Sequence, residues 1–317
     1  MPDPAPLLGT PEAPIPPGAA AEWLEGAGGA RLRAARFAAA GPPRGTVVLS
    51  GGRTEPIEKY FEVASELTGR GFVVLAHDWR GQGLSQRLLS EPLKGHAAGA
   101  DDFIADYRAL LDAFETRAPS PWLAIGHSMG GCLTALAIAR GEARLAAAVL
   151  CAPMFGIFTR PLAPALARAL AAGLAAAGLG ALLTPGGALH SPPTPFAANV
   201  LTHDPARYAR SQAQLAAHPE LALGPPTWGW LAFAFAATGE LAGSPGPTRA
   251  AIPVTAVAAG DDRLVDDRAT RAVIGRFPRG RYVEVAGAFH EILQETDALR
   301  AVFWREFDSL ADAAAPS

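Results

Sequence analysis

The sequence predicts an α/β protein, a mostly parallel central sheet with helices on both faces and an inserted helical cap. Three observations predict it. Short, continuous apolar runs alternate with helical stretches from Thr46 onward, the pattern of buried parallel strands joined by right-handed crossovers. A serine stands in Gly126-His127-Ser128-Met129-Gly130-Gly131 between an apolar run and a small-residue helix. The alternation stops after Pro153 and resumes only at Ile252.

Taken in order, the chain opens with a lead-in from Met1 to Gly18 that holds Pro2, Pro4, Pro6, Pro11, Pro14, Pro16 and Pro17. It has no positively charged start and no continuous apolar run, so it does not read as a secretory signal. It reads as a disordered or surface-hugging segment. Arg31 to Ala39 is an early strand of an antiparallel edge. Thr46–Ser50 is the next strand, ending in Gly51-Gly52, and a helix follows from Pro56 to Arg70. Phe72–Ala76 is a strand, Ala100 to Arg117 a helix, Trp122–Ile125 the strand before the serine, Cys132–Ala139 the helix after it, and Ala146–Leu150 another strand.

From Phe155 to Thr248 no strand is evident. Its first part, Leu162 to Leu183, is apolar, but Pro164 and Arg168 interrupt it and alanine contributes little transfer energy, so a cap helix or hairpin is favoured over a membrane span. Strands return at Ile252–Ala258 and Arg281–Val285, with helices near 267–276 and 297–310. The expected organisation is a flexible Pro-rich lead-in over 1–20, a core over 21–153 and 251–317, and a cap over 154–250.

Composition narrows the function. The chain has 317 residues, half of them hydrophobic, and a formal net charge of −3. With no basic stripe, nucleic acid is not an expected partner. Lys59 and Lys94 are the only lysines. Cys132 and Cys151 fall in apolar elements, where two reduced core thiols are favoured over a disulfide.

A serine at this tight strand-to-helix turn needs glycines on both sides, because a Cβ there would collide with strand and helix. Its hydroxyl lies at the positive end of a helix, where backbone N–H groups are unpaired. Ser128 is therefore the candidate nucleophile. A serine needs a base and an acid behind it, arriving in the order Ser, acid, His.

His290 in Gly287-Ala288-Phe289-His290-Glu291, just past the last strand, is the expected base. His77, His96, His127, His190, His203 and His218 are weaker candidates. The acid is expected in Gly260-Asp261-Asp262-Arg263-Leu264-Val265-Asp266-Asp267, with Asp262 first and Asp266 second, a helix N-cap being the other reading of Asp266. A calcium loop is the alternative for these acids, but its Gly and distal Glu are missing. The amides of Met129 and Arg53 are the expected oxyanion donors, Gly52 letting the backbone approach. Gly81-Gln82-Gly83 lacks the third glycine of a dinucleotide loop and reads as a structural turn. No cofactor or metal is expected.

These residues resemble the serine hydrolases of the α/β-hydrolase fold, and more narrowly the family joining monoacylglycerol lipases with bacterial lysophospholipases. The resemblance runs from Thr46 to the last helix. Its markers are His77-Asp78-Trp79-Arg80-Gly81-Gln82-Gly83-Leu84-Ser85, the Gly126–Gly131 elbow, Ala152-Pro153-Met154-Phe155-Gly156-Ile157, Asn199-Val200-Leu201-Thr202-His203 and Gly287–Glu291. The second-to-last and third-to-last of these are similar to the bacterial branch, as is Gly51-Gly52-Arg53 where the lipases have His-Gly. The resemblance implies hydrolysis of a monoacyl lipid ester in the cytoplasm, at the inner face of the membrane.

Under that reading Phe155, Phe158, Phe196, Trp228 and Trp230 hold the acyl chain, ordinary cap core being the alternative. The same family is often labelled serine aminopeptidase. A peptidase would want an anchor for a free amine, and the cap is poor in acids, with Asp204, Glu220 and Glu240 the main ones. A non-catalytic relative would have lost a triad member, and all are present. A general carboxylesterase is the remaining alternative.

Overall fold

A computed structural model describes residues 3–159, 162–189 and 194–315. The strands are β1 (Asp3–Ala5), β2 (Ala19–Glu25), β3 (Arg31–Phe37), β4 (Gly45–Ser50), β5 (Phe72–His77), β6 (Trp122–His127), β7 (Leu145–Cys151), β8 (Val254–Ala259) and β9 (Gly280–Val285). The helices are α1 (Phe61–Gly69), α2 (Ala100–Phe114), α3 (Met129–Ala139), α4 (Pro164–Ala176), α5 (Pro205–Ala217), α6 (Trp228–Gly243), α7 (Asp267–Ile274) and α8 (Asp297–Ala314). The strands form one sheet in the order β1-β2-β3-β5-β4-β6-β7-β8-β9. Pairing from β5 through β4 to β9 is parallel, and β1, β2 and β3 form the antiparallel edge.

The parallel strands are apolar on both sides because both sides are covered. Alternate residues point to opposite faces. Val48, Leu75, Ala124 and Leu150 join the core beneath α2, α3 and α6. Val47, Leu49, Val74, Ile125 and Val149 join the core beneath α1 and α8. No exposed face remains on β4 to β8 to impose polar alternation; β9, at the sheet edge, turns Arg281 and Glu284 to solvent.

Two strands were not expected, β1 and β2. The alanines of Ala19-Ala20-Ala21 carry no strand propensity of their own; β2 forms because it pairs along the whole of β3. The lead-in then pairs as β1, Leu8 N–H donates to Glu58, and the Arg33 guanidinium donates to the Pro6 carbonyl. Residues 3–18 therefore lie along the body, held by backbone bonds that their proline content does not announce.

Between β7 and β8 lie α4, α5 and α6. Asp204 caps α5 by accepting from the Ala206 and Arg207 amides, with Pro205 at the first helical position. Thr227 caps α6 by accepting from Trp230 N–H at 3.3 Å. Helix α4 buries Ala167 and Ala171 against Trp228 and Phe235 of α6 and turns Leu166 and Leu170 outward. Among the described residues no helix is long and apolar enough to cross a membrane. Cys132 and Cys151 are buried free thiols.

Candidate active site

The elbow is built by close approach. Ser128 has φ 50°, ψ −116° at the N-terminus of α3, a conformation costly for a residue with a Cβ. Its N–H donates to the Cys151 carbonyl at 3.0 Å and its carbonyl accepts from Met154 and Cys132. A Cβ on Gly126 would lie 2.7 Å from the Gly131 Cα, and one on Gly130 would strike the Ser50 and Gly51 carbonyls. The glycines let strand, helix and the end of β4 converge on one point.

His290 reaches that point from the loop after β9. Gly287 turns with φ 75°, and Asp261 N–H donates to the Ala288 carbonyl, tying this loop to the one after β8. A Cβ on Gly260 would sit 3.1 Å from the Ala286 Cα, so glycine sets the spacing of the two loops. As a result His290 Nε2 lies 2.9 Å from Ser128 Oγ and His290 Nδ1 lies 2.7 Å from Asp262 Oδ2. The other Asp262 oxygen accepts from the Leu264 and Val265 amides. Burial opposes the charge of Asp262, but the His290 hydrogen bond and charge and the two amides outweigh it and hold the carboxyl below its ordinary range. Asp266 is elsewhere: it caps α7, accepting from Arg268 N–H at 3.0 Å.

The remaining histidines have other partners. His77 Nε2 lies 2.9 Å from Ser50 Oγ, and burial pushes its pKa down to about 3. His96 pairs with Thr227, His203 with Glu295, and His218 Nε2 with the Gly9 carbonyl. His190 lies outside the described residues. Glu295 also accepts from Phe289 N–H, and Glu291 N–H donates to the Leu201 carbonyl. The Asn199–His203 stretch is thus stitched to the loop that carries His290.

The loop after β4 passes directly beside the serine. A Cβ on Gly52 would lie 3.0 Å from Ser128 Cβ. Gly52 N–H is taken by the Glu55 carboxylate, whereas Arg53 N–H has no acceptor among the described residues. The Met129 N–H begins α3, where no preceding turn exists to accept it.

Two residues that sequence reasoning left aside shape this loop. Gln82, within the Gly81-Gln82-Gly83 turn, donates to the Gly52 carbonyl at 2.8 Å and accepts from Thr54 N–H, Thr54 itself standing at φ 68°. Glu55 is buried and also binds His127 Nδ1, Tyr60 Oη and Lys59 Nζ. Burial works against its charge, but His127⁺ and Lys59⁺ dominate, so Glu55 stays well below the carboxylate range and His127 is raised. The signal for Gln82 was its place in a turn at the carboxyl end of β5.

Ser128 and His290 open into a cavity of about 580 Å³, an ordinary size for a small-molecule site. Phe158, Trp228, Trp230, Leu162, Leu231 and Met154 line it. Phe155 does not; it is 2% exposed and packs in the core beneath α2, α3 and α6. Phe196 packs on Tyr208, away from the cavity lining. A hydroxyl bonded to an imidazole that a carboxylate orients can lose its proton as it attacks a carbonyl.

A mostly parallel sheet with a serine at its central elbow after β6, an aspartate on the loop after β8 and a histidine on the loop after β9 defines the α/β-hydrolase class. The fold superposes on a soluble variant of monoglyceride lipase from Saccharomyces cerevisiae with a TM-score of 0.76 at 18% identity, covering 99% of this chain and 100% of that one. Residues 41–297 match the serine aminopeptidase S33 (Hydrolase_4) family, and the chain belongs to it. Lysophospholipase L2 of Escherichia coli K12 is 35% identical over 284 residues, 86% of this chain and 81% of that protein. Monoacylglycerol lipase of Mycolicibacterium smegmatis is 33% identical over 129 residues, 40% of this chain and 44% of that one.

Proposed function

We propose that the protein cleaves the carboxylic ester of a monoacyl lipid, a lysophospholipid or a monoacylglycerol, through an acyl-enzyme on Ser128. The observation that carries this reading is the Ser128–His290–Asp262 hydrogen-bonded chain opening into a cavity walled largely by apolar side chains. As Ser128 Oγ attacks the ester carbonyl, His290 Nε2 takes its proton. Asp262 holds the ring and balances the imidazolium. The Met129 and Arg53 amides receive the oxyanion, each such donor being worth roughly 10²–10³ in turnover. The glycerol oxygen leaves with the proton from His290, and water, deprotonated by the same imidazole, releases the fatty acid.

An aminopeptidase reading needs a free carboxylate for the substrate's amine. The carboxylates lining the cavity are Glu55 and Glu291, and both are engaged, Glu55 by four donors and Glu291 by Lys59. This favours an ester. Leu166, Leu170, Leu179, Leu182 and Phe158 are exposed large apolar side chains of the cap segment, which supports peripheral contact with a membrane at its inner, cytoplasmic face.

The test is a fluorophosphonate probe read by intact mass. One adduct is expected on the wild type and none on Ser128→Ala. Labelling that persists in the variant removes the nucleophile assignment.

A further inference from the structure

When this protein buries a guanidinium it ordinarily supplies carboxylates. Arg33, fully buried, is bonded to Glu58 at 2.6 and 2.7 Å and to Asp78 at 2.8 Å. Arg80 is bonded to Asp106 and paired with Asp102. Arg87, half-buried and without a carboxylate, donates instead to five backbone carbonyls; Arg53, also half-buried, has neither a carboxylate nor such a set. Its side chain lines the Ser128 cavity, packs against Gly95, where a Cβ would crowd the guanidinium, and donates from Nη2 to the Gly224 carbonyl.

That is its one hydrogen bond to the described residues. An arginine carries five N–H donors, so the other four find no acceptor there. Among the described residues Nε is buried and unpartnered, whereas Nη1, which makes no bond to them, is left to solvent. Burial pulls the group down to about 10 with no neighbouring carboxylate to offset it, which leaves it charged at neutral pH and short of a counter-charge.

A second donor nearby is in the same condition. Trp230 lines the same cavity, its indole Nε1–H is buried without an acceptor among the described residues, and its ring centroid lies 5.3 Å from the Arg53 guanidinium carbon. Leaving one buried donor unpaired is costly. Leaving a cationic and a neutral donor unpaired in one wall, beside a serine poised to attack an ester, is the complement of an anion rich in acceptor oxygens.

We propose that Arg53, with Trp230 beside it, forms a phosphate-binding subsite that makes the enzyme select monoacyl lipids bearing an anionic phosphodiester over neutral monoacylglycerols. The inference rests on the ester reading above and narrows it. In such a lipid the phosphate and the acyl ester sit on one glycerol, so both fall within one cavity. Two non-bridging oxygens suit a planar guanidinium better than a point charge. The ligand's oxygens supply the acceptors these donors lack.

Two measurements test this. The first compares lauroyl lysophosphatidylcholine with monolauroylglycerol, both below their aggregation thresholds, on wild type, Arg53→Met, Arg53→Lys and Trp230→Phe. The kcat/KM ratio of the first substrate to the second should fall on the order of 10- to 100-fold in Arg53→Met, the size of a lost charge-assisted hydrogen bond. It should recover in part in Arg53→Lys and fall less in Trp230→Phe. An equal loss on both substrates would make Arg53 a structural residue and overturn the subsite.

The second measurement is calorimetric binding of an ether-linked dodecyl glycerophosphocholine, which cannot be hydrolysed, against 1-dodecylglycerol and inorganic phosphate. The wild type should bind the phosphodiester at least tenfold more tightly than the alkylglycerol, and Arg53→Met should lose that preference. Inorganic phosphate binding as tightly as the lipid would assign the site to the free ion and overturn the head-group role. If neither ester is hydrolysed, the ester reading fails while the binding comparison still decides the subsite.

Discussion

Asp262 Oδ2 lies 2.7 Å from His290 Nδ1, and Asp262 Oδ1 anchors its own loop by accepting from the Leu264 and Val265 amides. One carboxylate therefore both fixes the turn and orients the imidazole, while Asp266, four residues on, spends its side chain on the α7 N-terminus.

Asp262→Asn should lower kcat by about 10³- to 10⁴-fold with the fold retained, because an amide at Nδ1 no longer favours the tautomer that accepts the serine proton. Asp266→Asn should leave activity within about twofold, since asparagine caps a helix as well as aspartate does. Steady-state kinetics on both variants check the pair. A larger loss in Asp266→Asn would move the acid.

Glu55→Gln should cut kcat on the order of 10- to 100-fold with KM nearly unchanged. Glutamine cannot balance His127⁺ and Lys59⁺, and it weakens the hold on Gly52 N–H that leaves the Arg53 amide free beside Ser128. Loss of one member of a buried charge cluster should also lower Tm. Full turnover with a lowered Tm would make the cluster purely structural.

Much of this was legible in the sequence, for a physical reason. Ser128, His290 and Asp262 stand where glycines force chain segments into contact, and glycine spacing is visible in one dimension. The partners of Glu55 and Gln82 are not, since they lie 72 residues away at His127 and 30 at Gly52. Strand β2 escaped notice because its alanines extend only through pairing with β3. That Phe155 lies in the core and not in the cavity wall was not legible, because an aromatic after an active-site strand can serve either, and its apolar character alone does not distinguish them.

Glu62 on α1 ties α5 to the body. Arg207 Nη2 lies 2.7 Å from it, and Arg210 and Arg300 also reach it. Burial raises its pKa, but the Arg207 and Arg210 hydrogen bonds prevail and bring it to about 2 from an ordinary 4.5. A folded value below the unfolded one means stability present above about pH 4.5 and lost as pH falls toward 2. Glu62→Gln should cost about 1–2 kcal/mol at neutral pH, a figure discounted for the quarter of the side chain left in water, and should flatten the Tm decline between pH 4.5 and 2. Thermal scans across that range check it; an unchanged slope would remove Glu62 as its source.

The apolar cavity sets the last expectation. Each methylene buried contributes about 0.8 kcal/mol, so kcat/KM should rise up to roughly fourfold per added CH₂ until the space between Phe158, Leu162, Trp228 and Leu231 is filled. Long monoacyl esters should then exceed acetyl and butyryl esters by orders of magnitude. Phe158→Ala should flatten the upper part of the series while sparing the short esters, because Phe158 supplies apolar wall and takes no part in the Ser128–His290 hydrogen bond. The measurement is kcat/KM from C2 to C12 on monodisperse substrate. A profile that is flat or falls with length would sink the lipid reading and leave a general carboxylesterase.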